Sequence, residues 1–191
     1  MSIVSRVRIY GLPDSVMASK YPMAVDVGKC TTELTPTVEK LSKCEIGSGH
    51  DQFLTGIIVQ FDLNFTIKAW TEAERYHFLD FVSSQSTMHR VVQLDARKQC
   101  IKYVTENTLA EVERLKDAFI ADPSAENYLA LLYNVPVGFR LTARMTTNYR
   151  QLKTIYSQRK SHRLPEWREF CKWAETLPYS ELITGVEHGE D

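Results

Sequence analysis

Between positions 57 and 66 the sequence keeps a two-residue alternation. Ile57, Val59, Phe61, Leu63 and Phe65 are apolar, while Gln60, Asp62, Asn64 and Thr66 are polar. Side chains on a strand point alternately to opposite faces, so this segment predicts a strand with one face on a core. Residues 4–10 are rich in β-branched side chains and end at Gly11-Leu12-Pro13, which predicts an earlier strand. Pro36 suits the start of a helix, with Val38, Leu41 and Cys44 at helical spacing. The glycines and serine of residues 46–50 then make a flexible turn.

Residues 69–81 lose the alternation and read as a helix, closed by a polar break at 83–87. Residues 91–104 are mixed and leave room for an extended piece. A long helical tract starts at Asn107, is interrupted at Asp122-Pro123-Ser124, and resumes over Ala125–Tyr133. Val135-Pro136-Val137-Gly138 predicts a turn, and 139–145 a short strand. Two helical stripes follow: Tyr149, Leu152, Ile155 and Tyr156, then Trp167, Phe170, Ala174 and Leu177 after Pro165. Strands and helices mix without regular βαβ order. The expected class is α+β, as a single domain over residues 1–184 with a polar tail at 185–191.

Composition narrows the function. With 43% apolar and 25% charged residues the chain supports a globular core. A net charge of -1 gives no bulk signal for nucleic-acid binding. There is no run of about 18 apolar residues and no membrane span is expected. Met1-Ser2-Ile3-Val4-Ser5-Arg6 is not followed by the long apolar stretch of a signal peptide. Cys30, Cys44, Cys100 and Cys171 are widely spaced, which fits free thiols in a reducing cytoplasm. A hydrolase is disfavoured because no G-x-S-x-G elbow exists, and a metal centre because His50, Asp51, His77, His89 and His162 lack ligand spacing. His188 falls in the polar tail.

Two clusters could carry chemistry. Asn148-Tyr149-Arg150 opens a helix and Arg159 follows nine residues later. At about 100° per residue the two arginines lie on opposite faces and cannot clamp one phosphate together. A solvated face bearing Arg150, Lys153, Arg159 and Lys160 would read the same, and Asn148 could be a helix cap only. The second cluster is Glu72, Arg75, Tyr76 and His77. Arg75 can hold a phosphate with two bonds, and His77 can donate to an anion. A surface Glu72–Arg75 pair is the plain alternative.

Together these motifs resemble the flavin-dependent thymidylate synthases, the ThyX-like family. Gly49-His50-Asp51-Gln52-Phe53-Leu54 is similar to that family's Gly-His-x-x-Pro-Phe-Glu-His entry to a strand. Arg75-Tyr76-His77 falls on its Arg-His-Arg signature, Pro136 on a proline before its late strand, and Asn148-Tyr149-Arg150 on its Asn-x-Arg. Arg159 falls on the arginine at the nucleotide, and Glu166 and Arg168 resemble the following Glu-Ile-Arg, shifted by one. The resemblance covers about residues 50–90 and 131–175.

It implies a ThyX-like fold with a mixed sheet flanked by helices, FAD as cofactor, and a homotetramer with sites at subunit interfaces. The implied flavin contacts are His50, Arg75, His77, Asn148 and Arg150. The implied nucleotide contacts are Glu72, Ser86, Arg90 and Arg159, with Arg159 stabilising charge on the pyrimidine ring. The implied activity is methyl transfer to deoxyuridylate or a related pyrimidine nucleotide, with methylenetetrahydrofolate and NADPH as co-substrates. The chain departs from the pattern at Glu72 for a glutamine, Tyr76 for a histidine, His77 for an arginine and Leu132 for an arginine. Two other readings stay open: a non-catalytic flavin- or nucleotide-binding accessory protein of the same fold, including a phage-encoded one, and a structural or partner-binding protein.

Overall fold

A computed structural model describes residues 2–45 and 48–185. Strand β1 (Val4–Tyr10) leads into α1 (Leu12–Ala18), and α2 (Pro36–Ser42) begins at its proline. A 3-10 turn over Gln52–Gly56 enters β2 (Ile58–Thr66), followed by α3 (Ile67–Ala73) and β3 (Asp80–Ser84). The short helices α4 (Thr87–Arg90) and α5 (Ala96–Gln99) precede the long α6 (Glu106–Ala121) and α7 (Ala125–Tyr133). Strand β4 (Arg140–Asn148) then runs directly into α8 (Tyr149–Arg159), with α9 (Pro165–Ala174) and α10 (Glu181–Thr184) closing the chain.

The α+β class holds. The sheet, in order β1-β2-β4-β3, is antiparallel at every pairing rather than mixed. β2 and β4 are its centre and pair without a break from Ile58↔Asn148 to Thr66↔Arg140. The alternation in β2 explains the layering. Val59, Phe61, Leu63 and Phe65 are fully buried and meet Thr147, Met145, Ala143 and Leu141 across the ladder. Helices α8 and α9 cover this face with Leu152, Ile155, Trp167, Phe170 and Ala174. Phe65 meets the Trp167 ring edge-on at 4.9 Å, and Phe61 lies 5.8 Å from Phe170. On the opposite face Gln60, Asp62, Asn64, Thr142, Arg144 and Thr146 stay half exposed. A smaller second core joins α4 to α7 through Val91, Ala96, Val112, Leu115, Leu131 and Phe139.

Three expectations change. The helix over 69–81 stops at Ala73, and Asp80–Ser84 is the edge strand β3. Every residue of β3 is exposed, so no apolar rhythm marks it; backbone pairing with β4 makes it a strand. Its polar end at Ser83 and Ser84 is sheet, not a break. In 91–104 the ordered element is the four-residue α5, and the extended part is a single bridge, Cys100↔Phe139. The turn residues Ile46 and Gly47 and the tail beyond Gly185, including His188, lie outside the described residues.

Candidate functional site

Helix α8 organises the basic residues. Asn148 ends β4 in an extended conformation, and its side chain accepts from Gln151 N at 2.9 Å. It is an N-cap, 8% exposed, which satisfies one of the helix's open donors. Arg150, in the first turn, faces the 3-10 turn before β2. Its Nε donates to Asp51 Oδ1 at 3.0 Å and its Nη1 to Gln52 Oε1 at 2.9 Å. Lys153, one turn on, donates to Asp51 Oδ2 and to Cys44 O, each at 2.9 Å. Asp51 is completely buried. A carboxylate with no solvent needs such partners, and two cations on one carboxylate leave a net positive charge here.

Arg159 sits in the last turn, on the other side. Its Nη1 donates to Glu72 Oε2 at 3.0 Å and its Nε to the Tyr76 hydroxyl at 2.6 Å. Glu72 also accepts from Trp167 Nε1 at 3.2 Å, and Lys68 Nζ stands 3.4 Å away. His162 Nε2 is 2.7 Å from Arg159 Nη1. The guanidinium packs on the Trp167 ring, 4.9 Å from its centroid. The opposite-face expectation for Arg150 and Arg159 therefore holds, and neither belongs to a solvated face. Glu72 pairs with Lys68, Arg159 and His162; among the described residues it makes no pair with Arg75.

Other expected residues are placed differently. His50, Arg75 and His77 are exposed and carry no side-chain hydrogen bond among the described residues. Arg75 and His77 flank Tyr76, which is tied to the far end of α8 through Gln158 and Arg159. The five flavin candidates thus fall into two groups, His50, Asn148 and Arg150 at one end of α8 and Arg75 and His77 at the other. Next to the second group, Tyr76, His77, Phe78, Leu79 and Phe81 help line an open groove of about 580 Å³. Phe78 is 65% exposed on a left-handed backbone, φ 64°. Ser86 is the residue before α4 and makes no cap bond, and Arg90 is exposed at the end of α4. No hydrogen bond or ion pair among the described residues joins either of them to Arg159 or Glu72.

Sequence reasoning missed Asp51 as the hub under Arg150 and Lys153, and His162 and Trp167 as walls around Arg159. Trp167 was legible only as part of a core stripe. Asp51 and His162 carry no local signal, because what defines them is a partner far away in the chain. The buried Tyr149 phenol nearby is held neutral. Burial and the adjacent Glu181 push the Tyr149 hydroxyl, which donates to Pro178 O at 2.6 Å, well above its usual range. Among the described residues no three His, Cys, Asp or Glu side chains gather to hold a metal ion, and no helix is long and apolar enough to cross a membrane.

No protein-family profile and no curated protein sequence matches the chain. Solved structures do. The flavin-dependent thymidylate synthase ThyX from Helicobacter pylori, complexed with FAD and dUMP, superposes with a TM-score of 0.73 at 16% identity. The match covers 94% of this chain and 97% of that one. A second structure of the Helicobacter pylori enzyme with FAD and dUMP gives a TM-score of 0.74 over the same shares. Similarity of this extent shows that the chain has the fold of the flavin-dependent thymidylate synthases.

Proposed function

We propose that the chain is a flavin-dependent thymidylate synthase of divergent sequence, acting on deoxyuridylate or a related pyrimidine nucleotide as a homotetramer. The observation that carries this reading is the pair of separate basic stations on α8, set in a fold shared along 94% of the chain with proteins holding FAD and dUMP. The donor set suits FAD. Among the described residues, Arg75, His50 and His77 are exposed with unspent donors, and Arg150 keeps Nη2 clear of internal bonds. Cationic and imidazole donors of this kind bind phosphate oxygens well. When bound, the flavin supplies hydride, with methylenetetrahydrofolate as carbon donor and NADPH as reductant.

The protein's own residues bind and orient. Arg75 and His77 hold one part of the cofactor and His50 and Arg150 another. These groups lie at opposite ends of α8, so assembly of several chains brings a complete set together. Arg159, fixed in a water-poor corner, places a cation beside the pyrimidine carbonyl and favours the electron-rich ring. Glu72 and Ser86 with Arg90 complete the nucleotide side. The Glu72–Arg159 pair favours one second reading, a binding protein that retains the pocket without turnover, since the carboxylate offsets the arginine's charge.

A flavin-loading spectrum followed by a deoxyuridylate titration tests the proposal. A yellow protein whose flavin band shifts on titration is expected; a colourless protein that cannot be loaded with FAD sinks both readings. Complementation of a thymidine auxotroph separates them. Arg159→Ala is expected to abolish complementation and keep the flavin band; continued growth would remove Arg159 from the chemistry.

A further inference from the structure

Glu72 and Tyr76 are two of the positions where this chain departs from the family pattern, and both touch Arg159. The Tyr76 hydroxyl takes Nε at 2.6 Å, while Glu72 takes Nη1 at 3.0 Å beside His162 at 2.7 Å. Each of these partners is itself braced. The Tyr76 O–H donates to Gln158 Oε1 at 2.9 Å, Trp167 Nε1 holds Glu72 Oε2 at 3.2 Å, and Leu164 N donates to His162 Nδ1 at 3.2 Å. Tyr76 and Trp167 sandwich the guanidinium at 5.4 and 4.9 Å. A guanidinium grips an oxyanion with two parallel bonds, either through Nε and Nη2 or through Nη1 and Nη2. Tyr76 occupies the first fork and Glu72 the second, while His162, whose Nδ1 is the accepting nitrogen, turns Nε2–H toward Glu72 Oε2 at 3.4 Å. Only Nη2 carries no hydrogen bond among the described residues.

We propose that Tyr76 and Glu72 are positioning residues that restrict Arg159 to one-point contact through Nη2, so that it selects a ring carbonyl oxygen over a phosphate. The ligand in this statement rests on the nucleotide function proposed above; the restriction of the guanidinium does not. Lys68, Glu72 and Arg159 together leave one net positive charge, enough to attract a nucleotide while denying its phosphate the fork. Tyr76→Phe keeps the ring against Trp167 and reopens the Nε side; Glu72→Gln loosens the Nη1 side.

Two measurements on the full chain test this. Phenylglyoxal needs a free guanidinium fork, and peptide mass mapping gives the rate at each arginine. Arg159 is expected to react at least about tenfold more slowly than exposed Arg8 in the parent protein, and about tenfold faster in Tyr76→Phe and Glu72→Gln. Equal rates at Arg159 and Arg8 in the parent overturn the restriction, whatever the protein binds. Calorimetry with deoxyuridylate and with 2-deoxyribose 5-phosphate then reads selectivity. Tyr76→Phe is expected to weaken deoxyuridylate about tenfold and the base-free sugar phosphate less than about twofold. Tyr76→His, which restores an acceptor, should recover the difference. Equal losses for both ligands, or none, overturn the selective role. Should the parent bind neither ligand, the selective role and the nucleotide function fall, while the phenylglyoxal rates still decide the restriction. If Tyr76→Phe loses its circular dichroism signal, Glu72→Gln carries both comparisons.

Discussion

Replacing Asp51 by Asn preserves the shape of the side chain and removes its charge. Asp51 is fully buried, and its two oxygens take Arg150 Nε at 3.0 Å and Lys153 Nζ at 2.9 Å. In the variant, one oxygen remains to serve two cations, and the new amide N–H₂ faces one of them. Removing one member of a buried ion pair costs about 3–5 kcal/mol, because the stranded charge stays poorly solvated. Here the Arg150 and Lys153 side chains are 29% and 14% exposed, and Arg150 keeps its bond to Gln52. Partial hydration places the loss at the lower end, about 3 kcal/mol, which is about 6–12 °C in Tm for a chain of this size. Urea unfolding followed by circular dichroism measures it. Asp51→Asn combined with Lys153→Met removes one stranded cation, so the double variant should lose less than the sum of the singles by about 1 kcal/mol or more. A loss under about 1 kcal/mol for Asp51→Asn, or strict additivity in the cycle, would mean that the cluster behaves like an exposed surface pair and that burial does not strengthen it.

Other outcomes follow from single sites. Phe61→Ala, which empties a fully buried position between Phe170 and Trp173, should cost about 3–5 kcal/mol in the same urea assay. Gly11→Ala should destabilise more than Gly56→Ala in thermal melts. At Gly11 a Cβ meets the Gly56 backbone oxygen at 2.5 Å on a φ of +72°, whereas at Gly56 it meets the movable Ser15 hydroxyl at 2.4 Å. Alkali should unfold the protein through its buried acids. Burial and Glu175 push the Cys171 thiol from 9.0 to about 12, and burial and the Glu175 bond push the Tyr156 hydroxyl from 10.0 to about 12. Both groups are neutral when protonated and their folded values are raised. The stability they contribute is therefore full below about pH 9 and is lost as the pH climbs toward about 12. Cys171→Ala should shift the midpoint of a circular dichroism titration upward, and an unchanged midpoint would remove the thiol from the transition.

Much of the fold was legible because its elements report burial in their own side chains. The alternation in β2 became a core-facing strand, and the stripes at Tyr149, Leu152, Ile155 and Tyr156 and at Trp167, Phe170 and Ala174 became the buried faces of α8 and α9. Pro36 and Pro165 both sit in first helical turns, as their fixed φ suggests. Strand β4 was read three residues short. Thr146, Thr147 and Asn148 are polar, and their pairing with Gln60, Val59 and Ile58 keeps them extended. Edge strand β3 had no readable pattern, since all five of its residues are exposed. The same limit governs the site. Helical periodicity gave the opposite faces of Arg150 and Arg159, but periodicity names a face and not a neighbour. The carboxylates that meet those faces lie 99 and 87 positions away.

Those two carboxylates share one origin, which explains why α8 can serve two stations. Asp51 precedes β2 and Glu72 follows it. The nine residues of β2 span about 30 Å, whereas Arg150 and Arg159 are separated by about 14 Å along α8. A straight continuation of β2 at either end would carry the acids past their arginines. The difference is taken up by the helical segments flanking the strand, the 3-10 turn Gln52–Gly56 and α3, which turns back so that Trp70 Nε1 donates to Leu141 O. Segment length therefore sets charge pairing. One residue inserted between Ala69 and Glu72 would swing Glu72 about 100° around α3, off Arg159 and away from Trp167 Nε1. The Thr66 cap and the β2 ladder would be left in place, so such an insertion separates the stability of the sheet from the state of Arg159.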